Sequence, residues 1–507
     1  MASRSRLFIR SLLAGYGSVA VNILFTLLSI PLAFRYLSKE EFGLWALALQ
    51  VNGYLGLIDL GMSGAVGRFL ADFKDDVNGG SYGSHLVTGV FVFAAQGLIV
   101  IFLGLLMVYC IPNLFSIRAG LQHQFSNLLL VLCLISAISI FIRSLASPLW
   151  AFQRMDVVNG CASGGLLLQL LVLWLAFRQG MGVNSLVISA SAPTLLSLGV
   201  YGWVCHANHY FPRRGNWGRP QWALFKKMLS FGKDILLVSL GSQLLNATQV
   251  IIISRTLGLD AAANYSIGTK LFAMGQQLYH KVIESSGPGL TEIFVQGRIP
   301  RFIERFWDSV ALTLVAAIFA AVGIAAGNNS FVQIWTHGAV SWTLVSDLLL
   351  ALLLLLTSVT RNYVGLFGIL KDFRKVRVLY FAEGLVFVPL AVIGAKSFGI
   401  VGVIAASLGA HVCVTAPFSF KATVRIVGSS KPLHKGFIAS VSLILASSLM
   451  AKGEAMLGIP ALPSLALAAI PLAVSAWIVW FWILPDHMRV RFHNPMTAAY
   501  RMFRRAE

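Results

Sequence analysis

Charge and cysteine are both scarce in this sequence, and each scarcity excludes a class of protein. Only 11% of the 507 residues are charged, whereas soluble domains carry about 25%, so a water-soluble fold is excluded. The five cysteines are odd in number and lack any CxxC or metal-like spacing, which argues against a disulfide framework and a metal site. Neither GxxxxGKS nor GxxxxGKT occurs, which argues against a nucleotide-driven pump.

Apolar residues, in contrast, are abundant and come in long runs. They make up 57% of the chain, and the mean hydropathy is +0.79. The runs are roughly 17 to 28 residues long, the length that a helix needs to cross about 30 Å of hydrocarbon, and they lack the alternation of barrel strands. The sequence therefore predicts an all-α polytopic membrane protein with about 14 transmembrane helices. We place them at about 12–34, 42–69, 84–111, 126–150, 158–177, 184–205, 231–253, 261–294, 308–327, 341–368, 376–395, 399–420, 436–452 and 462–484.

Basic residues are distributed unevenly between alternate loops. If the N-terminus is cytoplasmic, the inner segments hold 30 Lys and Arg, and the positive-inside rule places both termini in the cytoplasm. The basic start runs into the first span without a convincing cleavage site, so we expect that span to be retained. The outer segments hold only seven basic residues, which are Arg35, Lys39, Arg118, Arg178, Arg255, Lys396 and Lys452.

The chain also contains an internal duplication. RYLSKEEFGLW from Arg35 aligns without a gap with RTLGLDAAANY from Arg255, 220 residues later. Both halves begin on the same side, so the duplication is parallel and predicts two pseudo-symmetric six-helix lobes, an architecture found in transporters. We assign 1–205 to the N-terminal lobe, 206–230 to a cytoplasmic linker, 231–425 to the C-terminal lobe, and 426–507 to two additional transmembrane helices and a basic cytoplasmic tail.

The linker combines five basic residues with aromatic ones. Trp217, Trp222 and Phe225 beside Arg and Lys favour an interfacial helix on anionic lipid. Nucleic-acid contact is the alternative, which we disfavour because topology explains the net charge of +20.

Polar residues form matching stripes in the first helix of each half. Spacings of four and three keep each trio on one helical face, and such a face should meet protein or water rather than lipid. A shared cavity and interhelical hydrogen bonding are the two explanations, and we favour the cavity. The trios are Asn22, Thr26 and Ser29 in span one and Ser242, Asn246 and Gln249 in span seven.

Span eight carries the most informative pattern. Lys270, Gln277, Lys281, Glu284 and Glu292 lie within roughly 40° of one line along the helix. Ionisable groups at this depth are expensive in lipid, so the stripe is predicted to line an aqueous cavity. Lys281 and Glu284, three residues apart, are expected to form an ion pair.

Other charged residues inside the spans divide into two groups. Arg68 and Arg361 join Lys270 and Lys281 as candidates for binding an anionic ligand, with snorkelling to the inner interface as the alternative for the arginines and for Arg143. The carboxylates either couple transport to H⁺ or Na⁺ or balance nearby cations. No cofactor is expected beyond such an ion, and His411 is assigned no role because it stands alone in span twelve. The carboxylates are Asp59, Glu284, Asp347 and Glu383.

Two N-terminal segments carry a family resemblance. PLAFRYLSKEEFGLWALAL from Pro31 to Leu49 and LIDLGMSGAVGRFLADF from Leu57 to Phe73 resemble the polysaccharide transporter family, which comprises O-antigen and other oligosaccharide flippases. This family belongs to the multidrug, oligosaccharidyl-lipid and polysaccharide exporter superfamily. For the glycines of the second segment, at positions 61, 64 and 67, we favour close helix packing over a break or hinge in span two.

The resemblance implies a V-shaped pair of lobes that alternate around a central cationic cavity in a bacterial inner membrane. The cargo would be a polyprenyl-diphosphate-linked glycan for lipopolysaccharide or another surface polysaccharide, moved from the cytoplasmic to the outer leaflet, with polysaccharide-assembly proteins as further partners. The last two spans are also similar to the lipid-facing helices of fourteen-span lipid II flippases.

Three other functions compete with this one. A multidrug or cation antiporter of the same superfamily would prefer an acidic cavity, which the lysines disfavour. A membrane-embedded polysaccharide polymerase or glycosyltransferase usually needs an ordered outer loop, whereas every outer loop here is about 15 residues or shorter. A scaffold in an assembly complex is the third. We therefore favour a secondary transporter over an enzyme.

Overall fold

The computed structural model describes residues 2–114, 119–370, 373–428 and 431–493. Within these ranges every regular element is a helix, which confirms the predicted all-α class. Arg118 and the basic tail from residue 494 lie outside the described residues. The α-helices are α1 (Ala2–Phe34), α2 (Lys39–Leu55), α3 (Met62–Asp72), α4 (Ser81–Leu114), α5 (Ala119–Ala151), α6 (Met155–Arg178), α7 (Asn184–Ala207), α8 (Trp222–Asn246), α9 (Thr248–Leu257), α10 (Leu259–Gly268), α11 (Lys270–Val295), α12 (Ile299–Trp335), α13 (Leu344–Ile369), α14 (Phe373–Ala410), α15 (Ala416–Val427), α16 (Lys431–Met456), α17 (Ala461–Leu467), α18 (Ala469–Ile478) and α19 (Asp486–His493).

Eleven segments of the described chain are helical, long and apolar enough to cross a membrane. The predicted second and eighth spans are not among them, since the former is broken into α2 and α3 and the latter carries the ionisable stripe of α11. The predicted eleventh and twelfth spans are joined in a single segment, Lys375–Val427. The count of about fourteen is therefore not confirmed and remains a prediction.

The long segment is a hairpin rather than one straight helix. Its 53 residues would extend about 80 Å as a straight helix, far more than one bilayer. Gly399 has a φ of 62° inside α14, where the chain turns. A Cβ atom on Gly402 would lie 2.0 Å from the carbonyl oxygen of Gly394, so the two arms meet backbone to backbone.

Span two is interrupted immediately before its glycine-rich part. A 3₁₀ turn, Gly56–Asp59, follows α2, and Leu60 and Gly61 then adopt left-handed φ values of 52° and 72° before α3 begins. A left-handed residue cannot continue a right-handed helix, and glycine adopts it at little cost. Gly61 therefore stands at the break that was the alternative to close packing. It also lies close to α8, since a Cβ on Gly232 would be 3.3 Å from the Gly61 carbonyl carbon.

The chain divides into two compact units, and the N-terminal unit comprises Ile9–Ala263. At its centre α5 packs against α2, α3, α4 and α7, while α6 packs against α7. This unit also includes α8 and α9, which pack on α3 and α2. The compact division thus falls within α10, whereas the predicted linker between the lobes lies at 206–230; the lobe boundaries remain a prediction.

The C-terminal unit is built around α12 and contains the described chain from Asn264 onward together with the start of α1. Helices α11, α13 and α16–α18 all pack on α12. The last two predicted spans are fastened there by polar contacts, since Ser464 donates to Glu454 (2.5 Å) and lies 3.0 Å from Ser330.

The linker does not form a separate interfacial helix among the described residues. Trp222 and Phe225 stack with ring centroids 4.8 Å apart in the first turn of α8, which continues into the seventh span, and Trp217 lies outside that helix. The linker is tied to the start of α4, where the Gln221 backbone N–H donates to Thr88 Oγ1 (3.1 Å).

Substitution of Gly402 by alanine should destabilise the C-terminal unit, because the added Cβ would collide with the Gly394 backbone. Overpacking of this kind costs about 1–3 kcal/mol. Thermal unfolding of the detergent-purified protein measures the effect, with Gly409→Ala as the matched control since no atom lies within 4 Å of the Cβ position there. Equal melting temperatures for the two variants would contradict the hairpin geometry.

Candidate functional site

Helix α11 has a packed face and an ionisable face. On the packed face the Tyr279 hydroxyl donates to Thr357 of α13 (3.3 Å), and the Ser286 hydroxyl lies 2.8 Å from that of Ser309 of α12. Tyr279 lies nine positions from Lys270, which at 3.6 residues per turn places it about 180° from the ionisable stripe. The stripe thus points away from α12 and α13.

The residues of that stripe differ in their surroundings. Lys281 pairs with Glu284 at 3.0 Å, as predicted, and the lysine side chain is 17% exposed whereas the glutamate is 71% exposed. Gln277 is half-buried and Glu292 is exposed. Lys270 is half-buried at the start of α11, and no hydrogen bond or ion pair joins its ammonium group to a described residue.

A second basic group lies beside the stripe. The Arg361 guanidinium on α13 donates to the Tyr380 hydroxyl on α14 (2.6 Å). His280 is exposed and interacts electrostatically with both Arg361 and Glu284. We call Lys281 and Arg361 the basic patch, beside which His280 lies. The sequence pattern did not single out His280, because it falls about 80° off the line of the stripe.

In the N-terminal unit, Asp59 is the last residue of the 3₁₀ turn at the break in span two. Its Oδ1 atom accepts from the Arg143 guanidinium (2.7 Å) and the Ser63 hydroxyl (2.5 Å). Gln96 donates to the Asp59 carbonyl oxygen (3.0 Å). Asp59 therefore balances a cation on α5, and Arg143 is held by this contact and by Ser63 (3.2 Å) rather than by snorkelling alone.

Arg68 is placed differently from the other basic candidates. It lies on α3 in the N-terminal unit, is 62% exposed, and pairs with Asp72 one turn later at 2.8 Å. Lys270, Lys281 and Arg361 all belong to the C-terminal unit. The Arg68–Asp72 pair is largely exposed, so it holds the guanidinium only weakly.

The two polar stripes both lie in the N-terminal unit. Thr26 donates to the Asn22 carbonyl oxygen (2.9 Å) and Ser29 lies 3.5 Å from that of Thr26, so these bonds run along α1. Asn246 likewise donates to the Ser242 carbonyl oxygen (2.9 Å) along α8. Asn246 is exposed. The other stripe residues are half-buried: Asn22, Thr26, Ser29, Ser242 and Gln249.

Glu383 is buried in a hydrogen-bonded chain that crosses three elements. The Nδ1 atom of His411 lies 2.7 Å from Glu383, and its Nε2 atom lies 2.8 Å from the Thr360 hydroxyl. The Thr415 hydroxyl donates to the second carboxylate oxygen. His411 and Thr415 bound a π-helical turn, a distortion frequent at functional sites. His411, which was assigned no role, is thus the direct partner of Glu383.

Asp347 is buried at the start of α13, between neutral donors. Its Oδ1 atom accepts from the Asn328 amide and the Trp342 indole, both at 2.6 Å. Its Oδ2 atom and the Asn328 Oδ1 atom are buried with no hydrogen-bond partner among the described residues. Two unsatisfied acceptors on adjoining groups are costly.

One cluster has the composition of a metal site. The ligand atoms of Glu304, Asp308 and His487 lie within 4.8 Å of one another. Asp308 already accepts from Arg305 (3.0 Å) and lies 3.0 Å from His487, and the arginine charge would oppose a metal cation. The cluster instead fastens α19 to α12.

The comparisons with known proteins agree with this fold. The family model for "Polysaccharide biosynthesis protein" matches residues 12–294, and no curated protein matches the sequence. The lipid II flippase MurJ in an inward closed conformation superposes with a TM-score of 0.66 at 13% identity, covering 93% of this chain and 99% of that one. A MOP superfamily transporter from Pyrococcus furiosus gives 0.62 at 15% identity, with 84% and 96% covered.

An inward-facing multidrug resistance MATE transporter gives a TM-score of 0.59 at 12% identity, covering 83% of this chain and 99% of that one. At such identities the likeness shows the fold alone, which is that of the MOP superfamily transporters. The family model covers more than half of the sequence. The chain therefore belongs to the polysaccharide biosynthesis protein family.

Proposed function

We propose that this protein is a flippase that moves a polyprenyl-diphosphate-linked oligosaccharide from the cytoplasmic to the outer leaflet of a bacterial inner membrane, for surface polysaccharide biosynthesis. The observation that carries the proposal is the basic patch, which combines Lys281 of α11 with Arg361 of α13. Family membership supports the polysaccharide pathway, and the fold shared with a lipid II flippase supports a lipid-linked cargo.

The basic patch suits a diphosphate. Arg361 is oriented by Tyr380 and can form two parallel hydrogen bonds to a phosphate, while Lys281 adds a compact charge that would exchange Glu284 for the ligand. Lys270 supplies a further cation about 16 Å along the same helix face. Arg68 would likewise have to exchange its partner Asp72 for a ligand.

Polar and aromatic groups would meet the sugar, and the lipid tail would stay in the bilayer. Alternating access would then rock two lobes about the fixed cargo, as in other repeat-built transporters. Basic residues would repel a cationic drug, so the patch disfavours a multidrug antiporter. The mechanism requires no bond to be broken, in keeping with a secondary transporter rather than an enzyme.

Coupling to protons is proposed at the Glu383–His411 pair. The imidazole lies between a carboxylate and a hydroxyl, so it can take up a second proton that Glu383 stabilises. Asp347 has a different role in this scheme. A resident proton on its Oδ2 atom would donate to the Asn328 Oδ1 atom and satisfy both unpaired acceptors, so Asp347 would stay neutral and serve the structure.

Flipping should depend on the basic patch. In proteoliposomes carrying a fluorescent polyprenyl-diphosphate glycan, Lys281→Gln combined with Arg361→Gln should slow its appearance in the opposite leaflet by about tenfold or more, since two charge-assisted hydrogen bonds are lost. The control is Lys421→Gln with Arg425→Gln, which removes two exposed charges on α15. Unaltered flipping by a correctly inserted patch variant would contradict the assignment of the basic patch to diphosphate binding.

The response to a pH gradient should depend on Glu383. Wild-type flipping should accelerate under an imposed proton gradient, and Glu383→Gln should abolish that acceleration because the carboxylate no longer stabilises the protonated imidazole. Asp347→Asn mimics the neutral acid and should keep the response. A gradient response that survives in Glu383→Gln, or that vanishes only in Asp347→Asn, would overturn this assignment.

The orientation can be tested by labelling single cysteines in a variant that lacks the five native ones. With a membrane-impermeant maleimide on intact cells, Met181→Cys should react, because the turn that contains Met181 is predicted to lie outside. Gln221→Cys in the linker should react only after permeabilisation. Both side chains are exposed, so the opposite pattern would invert the proposed topology.

A further inference from the structure

An apolar groove runs between α1 and α6 within the N-terminal unit. It encloses about 530 Å³, and its wall is formed almost entirely by leucine side chains with a tryptophan and one charged residue. Several of these side chains are largely uncovered by protein; Leu28 is 48% and Leu171 is 52% exposed. The main lining residues are Leu28, Leu32, Leu167, Leu171, Trp174 and Arg35.

Two arginines mark one end of the groove. Arg35 lines it directly, and the Arg178 guanidinium lies 4.5 Å from the centroid of the Trp174 ring, which also lines it. The neighbouring residues of the two helices meet at the same level, since the rings of Tyr36 and Phe177 stack 4.9 Å apart. Both guanidinium side chains are exposed.

The length of the groove matches one leaflet. Its wall on α1 runs from Leu27 to Arg35, eight residues or about 12 Å at 1.5 Å per residue. Half of a 30 Å hydrocarbon core is about 15 Å. An acyl chain lying along the leucines would therefore bring its headgroup phosphate level with the arginines.

We propose that this groove binds one bilayer phospholipid with an anionic headgroup, such as phosphatidylglycerol, in the leaflet where Arg35 and Arg178 lie. The leucines contact the acyl chain, and the arginines select the headgroup by charge. Because Trp174 covers only one face of the Arg178 guanidinium, its in-plane N–H groups stay available to phosphate. This site is separate from the basic patch and does not depend on the proposed cargo.

Charge complementarity decides between occupants. Any lipid could fill an apolar groove, but two cations at its mouth with no carboxylate among the lining residues favour a net negative headgroup. Of the seven basic residues predicted outside, Arg35 lines this groove and Arg178 packs on Trp174, which also lines it. An isoprenoid carrier is the other amphipathic candidate, and the experiment distinguishes it.

Native mass spectrometry of the detergent-purified full chain tests the proposal, with phosphatidylglycerol, phosphatidylethanolamine and diacylglycerol added separately. The wild-type protein should retain phosphatidylglycerol about tenfold more strongly than the other two. Arg35→Gln combined with Arg178→Gln should remove that preference. Lys396→Gln combined with Lys452→Gln, which removes two exposed charges elsewhere, should leave it unchanged.

A second variant separates the groove from its charges. Leu171→Trp should fill the groove and weaken phosphatidylglycerol retention while both arginines remain. Undiminished retention in either groove variant, or displacement of phosphatidylglycerol by an equimolar polyprenyl phosphate, would overturn the proposal. Flipping is not measured in this experiment, so its outcome is independent of the flippase assignment.

Discussion

The cost of placing a charge in hydrocarbon governs the polar structure of this protein. A charged side chain in a membrane helix must find a partner, become neutral or face water. Three carboxylates within the predicted spans have such partners. The pairs are Asp59 with Arg143, Glu383 with His411, and Asp347 with the neutral donors Asn328 and Trp342.

The ionisable face of α11 satisfies the third condition in the proposed mechanism. Lys281 has Glu284 as a partner, but Lys270 has none among the described residues, and the whole stripe points away from α12 and α13. Lipid would tolerate such a face poorly. Water, or a negatively charged cargo, would stabilise it, which is why the same residues support both the cavity and the substrate class.

The sequence predicted features that repeat along a helix, because periodicity is local. The apolar runs, the α11 stripe and the Lys281–Glu284 pair all follow from spacings within one helix. Contacts between helices could not be predicted in this way: Asp59 and Arg143 are 84 residues apart, and His411 looked isolated although Glu383 lies beside it in space. A single sequence carries no signal for such pairs.

Breaks in the helices were the other feature that could not be predicted from the sequence. The turn at Gly399 and the break at Leu60 and Gly61 each depend on one or two left-handed residues inside an apolar run. Glycine permits such a conformation without requiring it. The same uncertainty explains why hydropathy alone leaves the number of spans between eleven segments and fourteen crossings.

Water access to α11 tests the central claim most directly. In a protein without native cysteines, single cysteines at Gln277 and Glu284 on the stripe and at Ile283 on the packed face would be reacted with a small water-soluble thiol reagent in membranes. The mechanism proposed here predicts rapid labelling at positions 277 and 284 and slow labelling at 283. Protection of both stripe positions, with labelling restored only when the membrane is dissolved, would show that the stripe faces lipid and would contradict the cavity.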